Sequence, residues 1–103
     1  MGKNISGAGF KGSSGKEHFE QRQKEGHYTD LTQAQYESRA IDLMQKEVGG
    51  TIDGFETKYG KIVRYDKITH DFVVGKPGEH VSSMFPLRGG QERFEKLKQR
   101  DGK

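Results

Sequence analysis

Cysteine is absent from this 103-residue chain. That absence excludes disulfides, thiolate zinc sites and cysteine nucleophiles, and leaves both a reducing cytosol and the outside of a cell open as places of work. Long apolar runs are missing as well. No stretch approaches the roughly 20 residues of a membrane span, and residues 1–15 lack the apolar centre of a secretory signal, so passage across a membrane would depend on something else. The hydrophobic fraction is 29% and the mean hydropathy is −1.00. One small domain with a thin core is the most such a chain supports.

Several nucleotide and hydrolase signatures are missing too. Gly7-Ala8-Gly9 has no further glycine at the required spacing and no strand before it, so neither a phosphate-binding loop nor a dinucleotide fingerprint is present. Ser82 and Ser83 lack a Gly-x-Ser-x-Gly elbow, which argues against a hydrolase nucleophile. The four histidines, at 18, 27, 70 and 80, match no compact metal motif. No cofactor and no metal are expected.

What is present is charge, glycine and a change of pattern along the chain. Eighteen Lys and Arg against fifteen Asp and Glu give a net charge of +3 and a pI near 9.2, compatible with a polyanionic partner and equally with an ordinary soluble domain. Residues 1–14, rich in Gly, Ser, Lys and Asn, read as a flexible arm or linker remnant, leaving 15–103 as a single domain. Ser14 to Glu17 fits a capping box, predicting a short, mostly charged helix over 15–25 anchored by Phe19 and stopped by Gly26. Thr32 to Gln35 supplies a second box. Tyr36, Ala40, Leu43 and Met44 then recur at helical spacing as far as Gly49-Gly50.

After Gly50 the period shortens. Residues 51–58, 61–65, 71–74 and 81–85 are short and rich in β-branched or aromatic residues, with turn chemistry at 59–60, 66–70 and 76–79. Connections this short imply antiparallel pairing. Alternation places Ile62 and Arg64 opposite Val63 and Tyr65, and Val81, Ser83 and Phe85 opposite His80, Ser82 and Met84. For 91–99 a strand and a short helix both remain open, and the helix is favoured. The class is α+β, with N-terminal helices packed on one face of a small twisted antiparallel sheet.

The reactive side chains divide into plain and functional readings. A histidine is suited to proton exchange near neutral pH; His18 lies beside its helix's apolar anchor, and a surface histidine fits as well. His70, next to Asp71 in a turn, reads as solvated. Arg64 in an apolar strand needs a partner for its charge, either Asp53 or Glu56 on the neighbouring strand or a phosphate that suits its planar fork. Tyr65 either stacks on a base or closes the core edge. A strand serine can donate a hydrogen bond to a phosphate oxygen.

The order of motifs resembles a known family. His18-Phe19, Gly26-His27 and the run from Leu31 to Ala40 are similar to the helical opening of the barnase/EndoU/colicin/RelE-like nuclease toxins. Ile62 to Asp66, Thr69 to Val74, Val81 to Pro86, and Gly89-Gly90 followed by Phe94 resemble that family's sheet. The resemblance covers about residues 16–96. Many relatives carry Thr where Ser83 stands and Lys where Phe85 stands.

The resemblance implies a barnase/RelE-like fold and a toxin domain at the tip of a large bacterial surface protein used in contact-dependent growth inhibition. Such a domain is delivered to the cytoplasm of a neighbouring cell, cleaves RNA, in many members tRNA, and is neutralised by a cognate immunity protein, here expected to be acidic. Cleavage without a metal requires a base for the 2′-OH, an acid for the 5′-oxygen and cations for the phosphate. The catalytic candidates are His18 as acid or base, His27 as a second proton carrier, Arg64, Tyr65 and Ser83. Lys16, Lys61, His80 and Arg88 are the candidate nucleic-acid contacts. The competing readings are a non-catalytic RNA-binding or protein-interaction module and a structural domain of a larger secreted protein.

Overall fold

Helix α2, Gln33–Gln45, forms where the capping box and the apolar stripe coincide. The Gln35 amide donates to Thr32 Oγ1 at 3.2 Å and the Thr32 amide donates to Gln35 Oε1 at 2.9 Å, so two otherwise orphaned N–H groups are satisfied at once. Tyr36, Ala40, Leu43 and Met44 are all buried. The helix stops at Gln45, short of the Gly49-Gly50 pair, because Lys46 turns extended while its amide still reaches Leu43. The computed structural model describes Phe10, residues 14–76 and residues 80–103. The Ser14 side chain, most of the arm and the tip of the 76–79 turn lie outside the described residues.

Helix α1, Ser14–Lys24, precedes α2. Gly26, at φ +83°, takes the left-handed conformation that redirects the chain after it. Four strands follow: β1 Ile52–Glu56, β2 Ile62–Asp66, β3 Asp71–Lys76 and β4 His80–Pro86. They pair antiparallel in sequence order, β1-β2-β3-β4, the meander that short turns dictate. Helix α3, Gly90–Asp101, closes the fold, so residues 91–99 are helical.

Pairing sorts the side chains into rows. Ile52, Ile62, Val73, Val81 and Met84 pack beneath α2 with Tyr36, Ala40, Leu43 and Met44, while Phe10 and Phe19 pack at this core's margin. The Tyr36 hydroxyl donates to the Met84 carbonyl at 2.7 Å inside that core. Val63, Tyr65 and Phe72 gather on the other face around Phe94 of α3. The N-terminal helices therefore share one face of the sheet, and α3 lies across part of the second.

Strand β4 is not regular. Val74 pairs with Ser83, but the next residue of β3, Gly75, pairs with Val81, so Ser82 is an extra residue of a β-bulge. Strict alternation would put Val81 with Ser83 and Phe85. The bulge instead returns Val81 to the α2 face with Met84, and leaves Ser83 and Phe85 on the α3 face.

Candidate nucleic-acid interface

Helix α1 lies along β4, and the end of the helix builds a pocket there with Phe85 and Pro86. Its lining is Arg22, Glu25, His27, Phe85, Pro86 and Arg88. Arg22 is nearly enclosed, with its side chain 15% exposed. Its guanidinium carbon stands 5.7 Å from the centre of the Phe85 ring, a cation–π position. One Arg22 nitrogen donates to Glu25, whereas Nε is buried without an acceptor among the described residues. Hydrogen bonds from Gln21 and then Arg22 hold the Glu25 carboxyl below its ordinary range. The His27 amide bonds the Arg22 carbonyl at 2.8 Å, which fixes where the chain leaves the helix.

His18 stands one helical turn before Arg22, so the two share a helix face. Its ring is 6.0 Å from that of Phe10. Burial, and then the Arg22 charge, push its pKa down, favouring the neutral imidazole that accepts a proton.

Phe85, Pro86 and Arg88 also line a larger groove on the α3 face. The groove has a volume of about 590 Å3. Its floor is apolar, with Phe55, Val63, Phe72, Val74 and Leu97, and its rim carries Lys61, Arg88, Arg93 and Arg100 against, among the described residues, one carboxylate, Asp101. Arg100 is bound to Asp101 through two nitrogens, at 2.9 and 3.1 Å. Tyr59 stands at this rim 72% exposed.

The residues singled out from the sequence do not all meet. His27 and Arg88 share the α1–β4 pocket, and Lys61 and Arg88 share the groove. Ser83 ends the row Phe55, Val63, Val74, Ser83 on the groove's face, half-buried. Lys16 is exposed on α1, and His80 is half-buried at the start of β4.

Arg64 points away from that row: its Nε donates to the Lys46 carbonyl at 2.8 Å and a terminal nitrogen to the Val63 carbonyl at 2.9 Å. It closes the open end of α2, as a cation suits a helix C-terminus. Tyr65 is fully buried and stacked on Phe94 at 5.1 Å, so it closes the core rather than offering a face to a base. Its hydroxyl meets His70 Nδ1 at 2.7 Å, and burial raises its pKa. His70 is exposed, as a turn residue should be, yet it is anchored.

Sequence reasoning passed over Arg22, Glu25, Tyr59, Arg93 and Arg100. The signal for Arg22 was its spacing of four from His18, and for Tyr59 an aromatic ring in a turn with a lysine on each side, at 58 and 61. Comparison with family models, curated proteins and solved structures finds no match to this chain.

Proposed function

We propose that this chain is an endoribonuclease that cleaves RNA, with tRNA the expected substrate, by attack of the 2′-OH on the adjacent phosphate, using side chains and no metal. One observation carries the reading: Arg22, His27 and Arg88, with Glu25, line a single pocket that shares Phe85, Pro86 and Arg88 with a groove rimmed by further cations. His18, biased to its neutral form, takes the 2′-OH proton. His27 protonates the departing 5′-oxygen. Exposed Arg88 contacts the phosphate directly and Arg22 adds its charge from beneath, stabilising the extra negative charge of the transition state. Each proton transfer accounts for about 10²- to 10⁴-fold in rate.

The resemblance of the motif order extends this reading to biology. The domain acts as a toxin, carried on a larger secreted or surface protein into the cytoplasm of a neighbouring bacterium. An acidic immunity protein covers its cationic face in the producing cell. The alternative, an RNA-binding module without chemistry, is favoured by the groove itself, whose exposed tyrosine and basic rim need only hold a ligand.

Incubation of the purified chain with total tRNA in EDTA separates the two. Discrete fragments ending in a 2′,3′-cyclic phosphate, reduced about 100-fold or more by His27→Ala and by His18→Ala, support the nuclease. Intact RNA with a retarded gel band supports the binding module.

A further inference from the structure

We infer that the groove on the α3 face is a seat for unstacked nucleobases, so that the chain engages single-stranded rather than duplex RNA. The inference rests on the proposed RNA-directed function but concerns a surface beyond the pocket of His27. Three features of the groove carry it.

The first is the division of chemistry. A floor of Phe55, Val63, Phe72, Val74 and Leu97 is bounded by Lys61, Arg88, Arg93 and Arg100. A duplex presents phosphates outside and keeps its base faces stacked inside, so it would satisfy the rim and leave the floor unused. An unpaired strand offers both at once, with bases against the apolar floor and phosphates at the rim.

The second is Tyr59. A large aromatic ring 72% exposed in a turn after β1 contributes little to the core. At the rim of this groove, with Lys61 lining the same surface, its ring is free to stack on a base. The third is continuity. Phe85, Pro86 and Arg88 belong to both the groove and the pocket of His27, so a strand whose scissile phosphate lies by Arg88 runs directly onto the floor. Asp101 is the one carboxylate among the described residues that line it, and its charge is matched by Arg100.

The test uses the intact chain and a fluorescent RNA decamer with every 2′-OH methylated, which removes the nucleophile and lets binding be read without cleavage. Fluorescence anisotropy at fixed salt compares the single strand with the same strand in a blunt duplex. The single strand should bind about tenfold or more tightly. Tyr59→Ala should weaken it about fivefold or more, while Tyr59→Phe, which keeps the ring, should bind as the parent does.

Leu97→Glu, with folding verified by circular dichroism, should weaken single-strand binding by at least as much. Equal affinity for duplex and single strand, or full binding by both Tyr59→Ala and folded Leu97→Glu, overturns the inference. Absence of RNA binding altogether overturns it too and leaves the floor to a protein partner. Groove-dependent single-strand binding with intact tRNA in the cleavage assay refutes the nuclease reading alone.

Discussion

The Tyr28 hydroxyl donates to Asp71 Oδ1 at 2.8 Å, while Arg39 Nε donates to the other oxygen of the same carboxylate at 2.6 Å. Asp71 is buried, with its side chain 5% exposed, and the Arg39 guanidinium lies over the Tyr28 ring. This one carboxylate ties the loop after α1, helix α2 and the start of β3 together. Burial first, and then the Asp71 charge, push the Tyr28 pKa far up, so the phenol remains a donor at any physiological pH. Removing the carboxylate in Asp71→Ala strands both partners and should cost about 2 kcal/mol. A thermal melt checks it, with an expected loss of roughly 8–15 °C.

Arg64→Ala should separate stability from activity. Its guanidinium caps α2 through the Lys46 carbonyl, remote from the pocket of His27. The variant should lose about 1–2 kcal/mol in urea unfolding and retain tRNA cleavage within about twofold in the folded protein. A large fall in the rate with stability intact would falsify the structural role given to Arg64.

Much of the architecture was legible in the sequence. The start of α2 followed from Thr32 and Gln35 and its buried face from a stripe that repeats with the helical period, whereas its end fell short of the Gly49-Gly50 pair, because Lys46 already turns extended. The meander followed from turn lengths alone. The site was less legible, and for two reasons. Alternation already placed Arg64 and Tyr65 on opposite faces, so one centre cannot use both, but only packing shows that Lys46 and Phe94 claim them. Arg22 belongs to a helix in which charge is ordinary, and what distinguishes it is its place over Phe85, a contact between residues 63 positions apart.

Gly54 faces Arg64 across β1 and β2. A Cβ there would stand 2.4 Å from the Val63 carbonyl and 2.9 Å from an Arg64 nitrogen. Gly54→Ala should therefore destabilise the fold by about 1–3 kcal/mol. In the double variant with Arg64→Ala the loss should be smaller than the sum of the two, because one of the clashes is gone. Urea midpoints of the four proteins form the cycle that checks it.

His18 makes stability depend on pH in a definite direction. Its folded pKa lies below its ordinary value because burial and the Arg22 charge oppose protonation, so the unfolded chain binds the proton more readily. Stability from this group is complete above an unfolded pKa of about 6.5 and declines as the pH falls through that value towards the folded one. Urea midpoints at pH 7.5 and 5.5 should differ more in the parent than in His18→Gln. Equal differences would refute the assignment.

The extra residue at Ser82 sets the phase of everything after it in β4. Because side chains alternate with a period of two, losing a single codon there would act differently from any substitution at the same place. The strand would have to choose between keeping Val81 against α2 and keeping Phe85 beside Arg22. Genetic variation along this chain should therefore tolerate many replacements at position 82 but almost no change of length between Val81 and Met84, a constraint that deletion scanning can detect and alanine scanning cannot.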